Sequence, residues 1–520
     1  MLKKLFYLSF LFLVNLYLFS DTYLSTRYDF YYNTISGPGK YQSYLSEGKK
    51  YNYFIQLYNG ENIQNFSYNI NFAMRSTDDK KYELAYYSLD NFKLKLNYYN
   101  NYLTLGDVFE YFSQYTLNTP IKGINLFLDN EFFNVNVIYG FGYQRWDAWY
   151  GDSTQRTMRR NVIAGKIKFH LHESLWIASN ANYSYDDEST RVNYYESSYD
   201  NKVFSQEIEF NPFEGVILYS EAAYAKTNLI PQLNLEKIYK EGYATKVRLT
   251  LDGEPIWSTH EYERTMPEFY AILGSVIQDR EKVSTNWKFK ITKDLWLKTN
   301  FMWYKDNLGN SKSYTTEVLT PNVIFTIKRL FNDDYFNLDL NYRYDLRNGG
   351  EFPSTNHTAG INYSDRFFVI DSTFDLSYTR YEIIDLKRSN DINYNAILSN
   401  RMNFDIFSLS PKFNIIGWYS YDEITKLINK SNELSGELTL DITVLNILLS
   451  GNYGYGVYEI DKEKSIKNYW GINFNTFIFQ NITSSLKYLF NSYDFNTLDN
   501  NGNERDYTET SFIFNVSISF

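Results

Sequence analysis

The chain has 520 residues, a formal net charge of −10 and no cysteine. The missing thiols exclude a structural disulfide, a thiolate metal site and a lipidated cysteine anchor. So acidic a chain is not expected to take nucleic acid as a partner. The 52 Tyr, 40 Phe and 9 Trp against only 9 Pro favour residues that suit a pleated, half-buried surface, so a β protein is expected.

The first element is a leader. Residues 1–20 carry Lys3 and Lys4 ahead of an apolar run from Leu5 to Phe19, the pattern of a signal peptide cut near Ser20. Leu18 stands where a second small residue is usual, and an uncleaved anchor is the alternative. Beyond this segment no apolar run approaches the ~18 residues that a membrane-spanning helix requires, which excludes a helical membrane protein.

From Tyr23 to Tyr32 onward the chain alternates. A strand between lipid and a watery lumen must place apolar and polar side chains on opposite faces over ~10 residues. Phe66, Tyr68, Ile70, Phe72 and Met74 form one apolar face, and Phe133, Val135, Val137, Tyr139 and Phe141 form another. Ile163, Ile167 and Phe169 oppose Lys166, Lys168 and His170, while Trp287, Phe289 and Ile291 oppose Lys288 and Lys290. The fullest case runs from Phe336 to Leu346, where Asn337, Asp339, Asn341, Arg343 and Asp345 share the polar face. Leu434, Leu438 and Leu440 repeat the pattern opposite Glu437 and Asp441.

Turn signals give an independent rhythm. Short turns are predicted at Asp90-Asn91, Asp129-Asn130, His172–Ser174, Asn211–Gly215, Asp252-Gly253, Thr292–Asp294 and Phe331–Asp334, roughly forty residues apart. Asp365-Arg366, Asn403–Asp405, Thr443 and Gln480-Asn481 continue the series. Longer polar stretches lie between them at Gly142–Arg160, Asp186–Asn201, Leu229–Glu241 and Asn496–Arg505. Short turns on one rim and long loops on the other imply a single up-and-down antiparallel transmembrane β-barrel over residues 21–520, with about twenty-six strands and any even number from about 22 to 26 acceptable. Both termini are expected on the short-turn, periplasmic rim. Two stretches resist assignment: Gly106 to Pro120 reads as a loop, an inward fold or a strand pair, and the strand expected between Glu254 and Tyr270 is interrupted by Pro255 and Pro267.

The chain closes on SFIFNVSISF, with Phe512, Phe514, Val516, Ile518 and Phe520 alternating with polar neighbours. This ending resembles the carboxyl-terminal strand by which outer-membrane proteins are recognised by the barrel assembly machinery. It departs from that pattern in carrying Asn515 where a glycine is frequent. Together with the leader and the rim asymmetry, the whole mature chain resembles the Gram-negative outer-membrane β-barrels. The resemblance implies an outer-membrane location, contact with lipopolysaccharide and insertion by the assembly machinery.

The candidate lumen-lining residues are Lys166, Lys168, Glu207, Glu209, Lys246, Arg248, Lys288, Lys290, Lys298, Asp339, Arg343 and Asp345, with Lys93 and Lys95 extending a mainly basic arc. Such an arc biases a water-filled pore toward anions, although any hydrated lumen also needs charge. The loop 142–160 mixes Trp146, Trp149 and Tyr150 with Arg145, Arg156, Arg159 and Arg160, suited either to lipopolysaccharide phosphates and sugar rings or to the interfacial aromatic belt. No G-x-S-x-G turn is present, and the four histidines have no spacing that pairs them with a nucleophile. No enzymatic activity, cofactor or metal is therefore expected. Because alternation begins just after the leader, no separate plug domain is expected and energised uptake ranks low. The expected function is a channel or transport barrel with a polar, partly basic, occluded lumen. The alternative is a scaffold barrel filled by a partner protein or by its own inward segments, Leu105–Pro120 and Glu254–Ile277; an outer-membrane enzyme ranks behind both.

Overall fold

The computed structural model describes residues 22–519 apart from 82, 84, 144, 151–155, 194, 232–235, 385, 480 and 500–501. The predicted leader and Phe520 lie outside the described residues.

The chain forms one antiparallel sheet of consecutive hairpins. Its strands are β1 (Thr22–Ser36), β2 (Gly48–Ile63), β3 (Phe66–Thr77), β4 (Tyr87–Tyr98), β5 (Asn101–Val108), β6 (Ile121–Asp129), β7 (Phe133–Phe141), β8 (Arg159–His172) and β9 (Leu175–Asp187). The wall continues through β10 (Ser198–Phe213), β11 (Val216–Ile230), β12 (Ile238–Gly253), β13 (Ile256–Thr265), β14 (Arg280–Lys290), β15 (Leu295–Asp306), β16 (Thr316–Lys328), β17 (Asn337–Gly349) and β18 (Ser354–Phe367). It is completed by β19 (Ile370–Ile383), β20 (Lys387–Asn400), β21 (Met402–Asn403), β22 (Ser408–Asp422), β23 (Ile428–Ile442), β24 (Ile447–Ile460), β25 (Glu463–Phe479), β26 (Ile482–Phe495) and β27 (Tyr507–Ser519). β21 extends β20 beyond Arg401 and pairs with the same neighbour, β22, so the 27 segments make 26 staves.

β27 pairs with β1 in register, Ser519 beside Ser25 and Thr508 beside Ser36, and this closes the sheet. Closure leaves no free edge, so the backbone donors and acceptors of the wall are satisfied within it. Thr22 and Ser519 lie on one rim with the short turns, and the longer loops lie on the other.

Alternation holds its phase around the wall. Along one continuous line Leu126 pairs with Val137 on β7, and in the other half Leu340 pairs with Ile361, which pairs with Leu376. That face carries exposed Phe204, Ile208, Phe374 and Phe413. Exposed aliphatic and aromatic side chains belong against lipid, so it is the outer face; the charged set is the inner one.

Most predicted turns fall where strands reverse, with one correction. Asp90-Asn91 sits within β4, where the pairing steps from Ala73 with Asn91 to Met74 with Leu89 and leaves Asp90 as the extra residue of a bulge. Asp90 is held there by Arg75 at 3.2 Å. The true reversal comes at Tyr99-Asn100, with Tyr99 in the left-handed region at φ 52°. Asp-Asn favours any local departure from the ladder, and composition does not separate a bulge from a turn. Gln64-Asn65 is a further turn without a prediction. The two prolines that interrupted residues 254–270 flank β13, one on each side, and leave the strand intact.

Candidate functional site

Between β5 and β6, residues 109–120 turn back against the inner face of the wall instead of forming an outer loop. Residues 266–279, between β13 and β14, meet them there. Phe112, Leu117 and Leu273 pack with Ile138, Val162 and Ala164, while Tyr115 and Phe269 pack with Val203, Ala223, Ala225 and Ala244. The Tyr115 and Phe269 rings meet edge to face at 5.7 Å. Small inward side chains on β8 and β10–β12 make room for these aromatic groups. Gly242 takes this furthest: a Cβ there would strike the Phe269 backbone.

Polar anchors fix the same contact. The Tyr115 hydroxyl donates to the Thr245 carbonyl at 3.0 Å, Lys166 Nζ to the Phe112 carbonyl at 2.6 Å and Asn201 Nδ2 to the Tyr270 carbonyl at 2.8 Å. Gln114 bridges two strands, donating to Glu263 at 2.6 Å and accepting from Lys246 at 2.8 Å. The two segments also join each other, Asn118 N donating to the Leu273 carbonyl at 2.7 Å and Ser275 N to the Gln114 carbonyl at 2.9 Å.

Below this lid toward the short-turn rim, the register lines up two rows of inner residues across β8–β13. One runs Lys168, Ala178, Glu207, Glu221, Lys246, Glu263; the next runs His170, Trp176, Glu209, Tyr219, Arg248, Glu261. They surround a recess of about 280 Å³. Six residues marked in the sequence line it: Lys166, Lys168, Glu207, Glu209, Lys246 and Arg248.

Charge in the recess is mostly balanced. Lys166 pairs with Glu207 at 2.9 Å, and Lys246 with Glu261 at 2.9 Å. Asn180 also donates to Glu207 at 2.6 Å. The Tyr219 hydroxyl lies 2.8 Å from Glu207 and 3.0 Å from Glu221, one phenolic proton between two buried carboxylates. Lys168 and Arg248 instead rest on aromatic faces, Lys168 4.1 Å from the Trp176 centroid and Arg248 5.0 Å from that of Tyr219.

The other marked residues are not gathered here. Lys288 and Lys298 face each other across β14 and β15, with Lys288 over both Trp257 and Trp296. Lys290 pairs with Glu254 at the short-turn rim at 2.8 Å. Asp339 accepts from Thr326, and Arg343 pairs with Asp345 at 2.9 Å, on the far wall. Lys95 lies 3.8 Å over Tyr102 on the wall before the lid. Sequence reasoning missed Glu221, Tyr219, Trp176, Tyr111 and Gln114. The available signal was the run of inward alanines beside them, small residues on a face that a plain hydrated lumen does not need to keep small.

Residues 145–147 and the start of β8 are tied into the long-loop rim. Arg145 pairs with Glu83 and Asp147, Arg159 with Asp187 and Arg160 with Asp186; Trp146 donates to Asp107 at 2.9 Å. Hydrogen bonds of the four histidines run to the neutral partners Asn134, Ser174, Ser258 and Tyr342. No group of three metal-ligating side chains forms among the described residues.

No family model matches the chain, and no curated protein matches it in sequence. Solved structures do resemble it. A chain of the E. coli P pilus tip assembly intermediate PapC-PapD-PapK-PapG aligns at TM-score 0.51 and 9% identity over 96% of this chain and 61% of its own. The present chain thus spans about three-fifths of that length. The P pilus usher (PapC) translocation pore aligns at TM-score 0.39 and 12% identity over 96% and 99%, and the copper transporter OprC at 0.46 and 8% over 96% and 81%. The chain has the fold of the large outer-membrane β-barrels.

Proposed function

We propose that the chain is an outer-membrane transport barrel whose hydrated interior is narrowed on one side by its own residues 109–120 and 266–279, with solute contacting the charged recess beneath them. The short-turn rim, with both termini, faces the periplasm. The observation that carries this reading is convergence: six charged residues chosen from alternation alone meet in one recess under a lid built by the same chain. A purely structural wall does not require such a chamber.

Ion pairing limits the expected anion bias. Lys166, Lys246 and Lys290 are committed to carboxylates, so the bias rests on Lys168, Arg248, Lys288 and Lys298. The inward segments take the part of the occluding element, and no separate plug is invoked. Insertion uses the β27 pattern of Phe512, Phe514, Val516 and Ile518, read by the barrel assembly machinery, and lipopolysaccharide surrounds the long-loop rim.

Single-channel conductance in a planar bilayer tests the proposal. The native barrel is expected to pass a small current, and the Tyr115→Ala/Phe269→Ala variant, with its lid released, a larger one. Silence in both, with a periplasmic or surface protein co-purifying from native membranes, would replace transport by the scaffold reading.

A further inference from the structure

The short-turn rim is chemically uneven. On β18–β26 its tips are rich in exposed apolar side chains: Phe368 and Val369 between β18 and β19, Phe404 and Ile406 on either side of Asp405 before β22, and Val444 and Leu445 between β23 and β24. Residues 477–479 bring a fourth apolar tip beside β26. Phe368 is 84% exposed and holds φ at 57°, a region that a bulky side chain enters at a cost and that Asn or Gly fills more readily. Elsewhere on the same rim charge enters most tips, as in Asn130-Glu131-Phe132, His172-Glu173-Ser174, Phe213-Glu214-Gly215 and Thr292-Lys293-Asp294. Exposed Leu330 and Tyr335 between β16 and β17 lie among Arg329, Asp333 and Asp334, and the β4–β5 tip carries the hydroxyl-bearing Tyr98 and Tyr99.

We propose that this apolar crescent is immersed in lipid, the leaflet at the short-turn rim reaching over the turn tips of the β18–β26 sector while the opposite tips stand in water. The inference rests on the membrane reading above. Its support is continuity: the crescent prolongs the exposed apolar columns of the outer face, Ile370 leading to Phe374 and Tyr378 along β19. It also follows the curve of the wall over four successive turns, roughly 40 Å at about 4.8 Å per strand, a line to which a fluid lipid surface conforms. At the other rim the strands within this sector are joined by the brief connections 384–386, 423–427 and 461–462, each carrying charge, which suits a side of the barrel seated deeper. The lipid contact would tilt the barrel and fix the depth of its two halves.

The absence of native cysteine makes single spin labels clean. Phe368→Cys, Val444→Cys, Glu173→Cys and Tyr378→Cys would each be labelled in phosphatidylethanolamine and phosphatidylglycerol vesicles, and collision with oxygen compared with collision with a water-soluble nickel chelate. Labels at 368 and 444 are expected to favour oxygen several-fold, as 378 does on the wall, and the label at 173 to favour nickel. Tips at 368 and 444 that behave like 173 would overturn the proposal. So would tips shielded from both reagents, which would indicate a protein partner or a second copy. Nickel access at 378 would instead defeat the membrane reading itself, and this inference with it.

Discussion

The β5–β14 sector and the β17–β25 sector share one backbone plan and differ in what their inner faces hold. In the first, Ala164, Ala178, Ala223, Ala225 and Ala244 line the wall, two connections fold in, and aromatic side chains reach full burial. In the second, connections are short and the lining carries partly exposed pairs such as Arg343 with Asp345. Among the described residues, the fully buried apolar side chains end at Leu273. A barrel wall alone therefore builds no dry core. One appears only where the chain supplies a second layer, because a single sheet has lipid on one side and water on the other.

The sharpest way to break this contrast is through charge. Lys166→Met takes the paired cation from Glu207, whose side chain is only 4% exposed and keeps, among the described residues, hydrogen bonds from Asn180 and Tyr219 alone. Removing one partner of a buried pair costs about 3–5 kcal/mol. The matching change Arg343→Met, in a pair whose arginine is 54% exposed, is expected to stay within about 1 kcal/mol. Urea unfolding in lipid vesicles would measure both; equal losses would erase the distinction between the sectors. Phe269→Ala should cost about 3–5 kcal/mol as well, yet act locally. Limited proteolysis is then expected to cut within 266–279 while the wall survives.

Glycine offers a finer comparison. Gly242→Ala drives a Cβ into the Phe269 backbone and should cost about 1–3 kcal/mol by displacing the lid. Gly360→Ala, on the other sector, meets only the Asn341 side chain, which can rotate away. Hydrogen exchange of residues 266–279 should accelerate in the first variant and remain unchanged in the second.

The smallest expected effect is at the long-loop rim. Burial by itself would raise the Glu83 carboxyl, but hydrogen bonds from Arg145 and the Ala85 N–H, with the charges of Arg145 and Arg75, outweigh it and hold the group below its ordinary value of 4.5. A lowered carboxyl contributes stability above its unfolded value and loses it as pH falls through the folded one. The Glu83–Arg145 contact should therefore hold at neutral pH and release, with the rim becoming protease-sensitive, only below the ordinary carboxylate value of 4.5. Loosening between pH 6 and 7 would count against this clamp.

Much of the architecture was legible because strand alternation is local. Lys166 and Lys168 opposite Ile167 and Phe169 declare their face without reference to any distant residue. The same reasoning reached Glu207, Glu209, Lys246 and Arg248, yet it assigned Lys288, Asp339 and Arg343 to the same set with no means of telling recess from open wall. Asp90 shows another limit, since a turn-favouring pair and a bulge share one composition.

By itself the sequence determined the β class, the two faces, the alternation of short and long connections and a strand count near twenty-six. Only the tertiary structure decided that β27 meets β1, that residues 109–120 and 266–279 turn inward, and that Glu221 and Tyr219 join the charged recess. The reason is range. Alternation is written within ten residues, whereas the lid depends on Tyr115 and Phe269 finding Ala223, Ala225 and Ala244 across large stretches of chain. That complementarity exists only after the sheet has closed.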